Sequence, residues 1–351
     1  MNILKPELFW LDNRCYRLFG NSDLSNTRII SPYVEDNDLT EYKEYDEDFY
    51  DDIEIVPYGA TKFKHTFHVA KSFFPFIIGS KNTVRKRLET ETKTVIQIPK
   101  IGQDGNIVII GVDHKGIMTA RRRINLLVEA RRKRLRPTHF LSIPLNEGHI
   151  IMKFNMFKNE ILTNSGKNSR SVNEMIFQTP SKLHFTIGVL TLLDDTERSQ
   201  AIEALDYCKK HIIKPIIEKH GQICISLQGT DIMNDDPTEV KVLYAKILNT
   251  NNALQEIADK VSNHYTNIGL SSEEKETVKL HVTVINTKFG SDSEEAKCSQ
   301  QKTFDATEIL KVHENTFFGE TTIKQIHISQ RHTISSNGYY QATAKINLFE
   351  D

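Results

Sequence analysis

Cysteine is scarce in this sequence: four residues in 351, with no C-x-x-C pair among them. Cys15, Cys208, Cys224 and Cys298 are scattered without zinc-ligand spacing. That argues against a structural metal or a disulfide framework and for a reducing compartment. Long apolar runs are missing too. No stretch approaches the ~20 residues that a membrane span needs, and the N-terminus shows no basic-then-apolar leader pattern. The chain therefore reads as soluble and intracellular. What remains is ordinary globular composition, 38% hydrophobic and 26% charged, in a length that accommodates two domains.

Net charge is nearly absent, but the formal −1 conceals a sharp asymmetry. Residues 1–60 carry 5 Lys/Arg against 14 Asp/Glu, residues 61–136 carry 18 against 5, and the remaining 215 carry 22 against 27. A basic block between acidic neighbours points to a segment dedicated to a polyanion; a lysine-rich solvated face is the blander alternative. Residues 1–20 are apolar enough to pack on something. Residues 35–54 are acidic, with Tyr42, Tyr45, Phe49 and Tyr50 interspersed, and have too little aliphatic surface to fold alone. Residues 1–59 are accordingly expected to be an acidic, partly disordered arm, either a spacer or a partner-docking segment.

From Phe63 the pattern changes. Lys64–Val69 alternates like a strand, Phe73–Ile78 is apolar up to Gly79, and Thr83–Glu91 sets Val84 and Leu88 on one helical face. Thr94–Ile98 and Ile107–Gly111 read as strands separated by Gly102 and Gly105. His114–Arg134 reads as a helix with Ile117, Ala120, Ile124, Leu127 and Val128 on its apolar stripe. The order over residues 60–136 is β-α-α-β-β-α, with Pro137 at the boundary. Residues 137–351 alternate strands (139–145, 182–192, 222–228, 241–248, 279–286, 323–330, 339–348) with helices (149–162, 195–219, 252–268, 305–315). Polar loops fit 164–174 and 290–303.

The strongest internal signal is a repeated hexapeptide, Lys182-Leu-His-Phe-Thr-Ile187 and Lys279-Leu-His-Val-Thr-Val284. In a chain with 13 histidines, a bare H-x-T triplet arises by chance about once. Two copies with the same flanks, their histidines 97 residues apart (281 − 184), read as equivalent strands of a duplicated lobe. Alternation puts Lys182, His184 and Thr186 on one face and Leu183, Phe185 and Ile187 on the other; the second copy sorts alike. If the strands meet across a pseudo-twofold axis, two imidazoles and two hydroxyls converge.

That set suits phosphodiester chemistry. One imidazole takes a proton from the attacking oxygen and the other protonates the leaving oxygen, while Thr186 and Thr283 hold the non-bridging oxygens. No metal or cofactor is required. Which histidine is acid and which base stays open, as does the bond cleaved (2′-5′, 3′-5′ or a cyclic phosphate). Each histidine taken alone could equally be a satisfied strand residue. His327, in Ile326-His-Ile-Ser329, lacks the Lys-Leu prefix and is expected to be a lining or core histidine. Tyr339 and Tyr340 are candidates for base stacking.

Paired H-x-T motifs of this kind resemble the two-histidine phosphoesterase superfamily, the LigT-like group that includes RNA ligase-like and cyclic phosphodiesterase enzymes. Phe9–Arg17, Glu91–Gly105, Met233–Pro237, Leu243–Lys246 and Ile326–Arg331 are similar to a branch in which an RNA-binding KH domain precedes the phosphoesterase. The resemblance thus spans nearly the whole chain. It implies an α+β fold: a KH domain (β-α-α-β-β-α) at 60–136, then a bilobal phosphoesterase domain at 137–351 with pseudo-twofold antiparallel sheets flanked by helices. It also implies a nuclear protein, with a cytoplasmic pool compatible. Its implied partners are a helicase subunit and the other subunits of an activating signal cointegrator complex, in transcription coactivation and alkylation-damage repair.

The KH loop of that family, G-x-x-G, clamps the nucleic-acid backbone. Here it is Gly79-Ser80-Lys81-Asn82, with an asparagine that tolerates positive φ at the second glycine position. The expected RNA contacts are Ile78, Gly79, Ser80, Lys81, Asn82 and Arg85 at this loop, and Arg121, Arg122, Arg131 and Arg132 on the long helix. A nuclear-import signal is the competing reading of the arginine clusters. The expected function is a metal-independent RNA phosphodiesterase acting on single-stranded RNA or RNA ends. A non-catalytic RNA-binding adaptor is the alternative.

Overall fold

The computed structural model describes residues 53–349 apart from 101, 104, 250–251, 272–275 and 293–302, together with two short strands near the N-terminus. These are β1 (Leu8–Leu11) and β2 (Arg14–Arg17), an antiparallel pair in a unit, Met1–Asp52, that is distinct from Ile53–Asp351. Nearly all of the expected acidic run lies outside the described residues.

The second unit begins with β3 (Val56–Tyr58) and β4 (Lys62–Phe67). Next come α1 (Phe74–Ile78), α2 (Thr83–Thr92), β5 (Thr94–Gln97), β6 (Ile107–Gly111) and α3 (His114–Arg132). The four strands form an antiparallel sheet in the order β3-β4-β6-β5. Strand β3 precedes the start expected at residue 60. Its Pro57 hides the alternation in the sequence and is tolerated because β3 is an edge strand. Alternation works inside the sheet: Thr94 and Ile96 are buried while Val95 and Gln97 face out. Asp113 starts α3 by accepting the Gly116 amide at 2.6 Å, and Ile117, Ala120 and Ile124 close the core over the sheet.

Beyond Pro137 come β7 (His139–Pro144), α4 (Gly148–Thr163), β8 (His184–Leu190), α5 (Asp195–Cys208) and α6 (Lys214–His220). They are followed by β9 (Cys224–Ile232), β10 (Val242–Asn249), α7 (Ala253–Asn267) and β11 (His281–Asn286). The chain ends with α8 (Thr307–Val312), β12 (Phe317–Thr322), β13 (Gln325–Ile334) and β14 (Tyr340–Asn347). The single helix expected over 195–219 is interrupted by a π-helical turn at Lys209–Ile213, just ahead of Pro215. Proline has no amide hydrogen to give, so the ladder widens there. Strand β12 has no counterpart among the expected elements; its Gly319 (φ 134°) and polar residues mask the apolar rhythm.

The eight strands among the described residues of this domain join one antiparallel sheet, ordered β12-β9-β10-β11-β8-β7-β13-β14. The order divides at the β11–β8 seam into two four-stranded halves. Each half places its H-x-T strand at the seam, as the duplication suggested. Helices α7, α5 and α4 pack on β8, β14 and β12. The apolar alternates, among them Phe185, Val282, Leu243 and Ile328, are buried in the core cluster. The opposite alternates are left to line a cleft.

Candidate active site

His184 opens β8 and His281 opens β11, the two strands that meet at the centre of the sheet through the pair Val282–Phe185. This register sets His281 beside Thr186 and Thr283 beside His184. The two imidazoles then lie diagonally across the seam, a position in which residues are about 7–8 Å apart and their Cβ atoms somewhat closer. A tetrahedral phosphate fits between them with a threonine hydroxyl on either side.

Both rings are anchored in the same way. Nδ1 of His184 lies 2.6 Å from the carbonyl oxygen of Lys182, and Nδ1 of His281 lies 2.7 Å from that of Lys279. A carbonyl only accepts, so each Nδ1 carries a hydrogen and donates it. The exchangeable lone pair is thereby assigned to Nε2 in both. The Lys-Leu prefix precedes the strand instead of belonging to it: Lys182 ends a 3-10 turn, Pro180–Lys182. That bend brings the carbonyl of Lys182 back onto its own histidine.

An aromatic residue invisible in the linear motif completes each half. Tyr340 of β14 meets His184 edge-on at 5.4 Å between ring centroids, and Tyr244 of β10 meets His281 at 5.4 Å. The motif lysines cover the faces of the same tyrosines, Lys182 at 5.4 Å from Tyr340 and Lys279 at 4.7 Å from Tyr244. Lysine and histidine of each K-L-H motif therefore grip one ring between them, an arrangement favoured by the charge distribution of the ring.

The halves differ in enclosure. His184 also has Phe140 at 5.1 Å and Tyr339 at 6.4 Å. Burial among these rings pushes its pKa down to about 4; the bond to the Lys182 carbonyl opposes the shift and the charge of His281 adds to it. His327 faces the same side, opposite Ser142, which is in turn opposite Thr186. Burial and the charge of Lys345 lower its pKa to about 4 as well, and its Nε2 lies 3.0 Å from Gln325 Oε1. Two strands away from the seam, it lines the cleft. Tyr339, expected as a base-stacking candidate, is only 3% exposed and donates its hydroxyl to Ser142 at 2.9 Å. It serves as a pillar under His184; of the two tyrosines, Tyr340 keeps surface toward the cleft. Among the described residues, no group of three or more His, Cys, Asp or Glu side chains is placed to share a metal ion.

In the smaller domain, Gly79 has φ 72°, and a Cβ there would sit 2.4 Å from Val84 Cγ2 and 2.9 Å from the Val84 amide nitrogen. Lys81 (φ 49°) and Asn82 (φ 64°) are both left-handed, so asparagine adopts the backbone that the second glycine would supply. Ser80 and Lys81 are exposed beside the partly buried Ile78 and Arg85 at the start of α2. Arg131 lies over Phe76 of α1 at 4.0 Å, and Arg122 is partly exposed on α3.

Two of the arginines expected as phosphate contacts on the long helix are engaged by other groups of the protein. Arg121 stacks on Phe67 at 3.7 Å and lines a cavity of about 200 Å³ at the junction with the larger domain, together with His68, Glu197 and Gln200. Arg132, 5% exposed, is inaccessible to a phosphate because it is bonded to Glu197 and the Thr191 carbonyl. The signal was present: Arg132 follows Ile124 and Val128 at intervals of four, which is the phase of the buried stripe.

Two H-x-T strands meeting at the centre of one sheet, behind a small β-α-α-β-β-α domain, define a two-histidine phosphoesterase domain joined to a KH domain. The family model for the AKAP7 2′5′ RNA ligase-like domain matches residues 137–348, and that for the KH domain matches residues 64–126. The chain is 36% identical to mouse (Mus musculus) activating signal cointegrator 1 complex subunit 1, over 99% of this chain and 100% of that protein, and it belongs to that family. Human A-kinase anchor protein 7 isoform gamma is 26% identical over 63% of this chain and 60% of its own length. Among solved structures, TT0787 of Thermus thermophilus (13% identity, TM-score 0.39) covers 60% of this chain and 97% of its own. Usb1 of Kluyveromyces marxianus with uridine monophosphate (10% identity, TM-score 0.30) covers 60% and 96%.

Proposed function

We propose that this chain is a metal-independent phosphodiesterase that acts on single-stranded RNA or RNA ends held by its KH domain. The observation that carries the reading is the diagonal imidazole pair, each ring tied through Nδ1–H to the carbonyl two residues back, leaving Nε2 as the nitrogen that exchanges a proton. His184, kept neutral by its aromatic surroundings, accepts the proton of the attacking hydroxyl or water as the new P–O bond forms. His281, protonated, delivers its proton to the departing oxygen as the old P–O bond breaks. Thr186 and Thr283 donate to the non-bridging oxygens, where negative charge grows. The turnover leaves His184 protonated and His281 neutral, and solvent exchange resets both.

The KH loop from Ile78 to Arg85, with Arg122 and Arg131, is the RNA-holding surface in this reading. Full-length similarity to a cointegrator complex subunit supports a place in such an assembly. That place is nuclear, with a helicase subunit and other subunits as partners, in transcription coactivation and alkylation repair. The same similarity favours a second reading, an adaptor whose phosphoesterase fold holds RNA without cleaving it. Labelled RNAs with 2′-5′, 3′-5′ and cyclic phosphate linkages separate the two when tested with the full chain and with His184→Ala and His281→Ala. Turnover by wild type that falls at least 100-fold in both variants and resists EDTA supports the enzyme. Turnover equal in all three proteins defeats it, and RNA binding without any turnover leaves the adaptor.

A further inference from the structure

Strand alternation sorts β9, β10 and β12 into two faces. Ile225, Leu227, Leu243, Ala245 and Ile247 are buried in the core. Cys224, Ser226, Gln228, Lys246 and Leu248 therefore belong to the face that carries His281 and Thr283. The register lays a path across this face that crosses from β10 to β9 just beyond a bulge between Ala245 and Ile247. His281 is opposite Lys246; Leu248, two residues further along β10, is opposite Ser226 of β9. Ser226 is opposite Glu320 of β12, and Cys224 is opposite Thr322. The path ends in an open groove of about 560 Å³ lined by Cys224, Ser226, Gln228, Leu248, Glu320 and Thr322. With strands about 4.8 Å apart and same-face residues about 6.8 Å apart along a strand, Leu248 lies about 8 Å from His281. That is within reach of a nucleoside attached to a phosphate held at the seam.

The lining selects what enters. Among the described residues no lysine or arginine lines the groove, and the Glu320 carboxylate repels a second phosphate. Leu248, 49% exposed, offers an apolar surface to the face of a base. Ser226 and Gln228, whose side chains have no hydrogen-bond partner among the described residues, offer a hydroxyl and an amide to a base edge or a ribose. The volume falls within the range of roughly 300–1,000 Å³ found for small-molecule sites. Across the seam the corresponding space around His184 is closed by Phe140, Tyr339 and Tyr340. The two sides of the phosphate thus meet different surroundings.

We propose that the β9–β12 groove is the subsite for the ribonucleoside that departs from the His281 side of the scissile phosphate. The assignment rests on the reading of His281 as the acid of a phosphodiesterase. It makes the enzyme selective for a neutral nucleoside as leaving group over a further phosphate. Two substitutions, Gln228→Ala at a half-buried position and Leu248→Glu at an exposed one, test it in the full chain, with unchanged thermal unfolding as the fold control. A dinucleoside monophosphate and a mononucleotide serve as probes, and the dinucleotide and a methyl phosphodiester of the same nucleotide as substrates. The double variant is expected to bind the dinucleotide roughly tenfold more weakly and the mononucleotide as wild type does. Turnover of the dinucleotide drops with it, and turnover of the methyl ester holds. Alkylation of exposed Cys224, followed on its own peptide, is expected to slow when the dinucleotide is bound and not when the mononucleotide is bound. Equal losses on both probes, or none, together with unprotected Cys224, overturn the groove assignment. Selective dinucleotide binding in a protein that turns over neither substrate keeps the groove and removes the enzymatic reading instead.

Discussion

Arg132 at the end of α3 and Glu197 in the first turn of α5 form an ion pair of 2.5 Å, with 6% and 5% of their side-chain surfaces exposed. Arg132 also donates to the Thr191 carbonyl, and Glu197 accepts the Leu193 amide at 2.8 Å. Nearby, His68 meets Asp194 at 2.9 Å, while Asp194 caps α5 by accepting the Glu197 amide at 2.9 Å. The segment from Thr191 to Glu197 therefore starts a helix of the larger domain and holds the KH domain with the same side chains.

Removing one partner of this pair is expected to cost more than the pair contributes. Glu197→Ala strands a buried guanidinium without its counter-charge, and the loss of unfolding free energy should be about 3–5 kcal/mol. Arg132→Met combined with Glu197→Leu should recover most of it, because an apolar pair needs no desolvation penalty. Urea unfolding of the three proteins checks this. Arg132→Met should leave RNA affinity unchanged, since Arg132 does not reach the RNA; a fall comparable to that of Lys81→Ala would return it to the binding surface.

His184 predicts an acid-side loss of stability. Its folded pKa of about 4 lies below the ordinary histidine value of 6.5, so between these limits the unfolded chain binds more protons than the folded one. Stability is then full above about pH 6.5 and falls as the pH drops toward 4, by up to about 3 kcal/mol for this group. His327 acts in the same direction and window. Denaturation midpoints at pH 7.5, 5.5 and 4.5 should decline, and His184→Asn should flatten the decline. An unchanged slope in that variant would show that His184 titrates normally.

The halves of this molecule were legible to different depths. The seam could be anticipated because period-two alternation in Leu183, Phe185 and Ile187 against His184 and Thr186 survives burial of one face. Tyr244 could not be, and Tyr340, singled out as a stacking candidate, was not matched to His184: both come from other strands, and a ring chosen by a cross-sheet neighbour leaves no periodic trace along its own segment. Strand β12 was obscured because an edge strand with a glycine bulge satisfies fewer apolar demands. Arg132 was misplaced by weighing charge above helical phase, although the phase was already fixed by Ile124 and Val128.

The KH loop gives a prediction in which strain and charge separate. Asn82 holds a left-handed backbone (φ 64°) that glycine adopts at no steric cost. Asn82→Gly is expected to tighten RNA binding by letting the backbone approach the phosphate more closely. Gly79→Ala is expected to weaken binding and stability together, since its Cβ collides with Val84. Lys81→Ala should weaken binding while lowering the salt slope by about 1. Fluorescence anisotropy across a salt series distinguishes them, and an Asn82→Gly affinity equal to wild type would remove the backbone argument.

The threonines offer a test of the diagonal register itself. If Val282 pairs with Phe185, the hydroxyl nearest His281 is Thr186, from the other motif, and the one nearest His184 is Thr283. Thr186→Val and Thr283→Val should each lower kcat by roughly 10- to 100-fold with little change in KM, because the hydroxyls act on charge that appears only in the transition state. Groups that act as one unit lose little more when a second member is removed. Thr186→Val should thus cost less in a His281→Ala background than in wild type, and less than it costs beside His184→Ala. The reverse ranking would mean that each threonine serves the histidine of its own strand, and the register across the seam would have to slip by two residues.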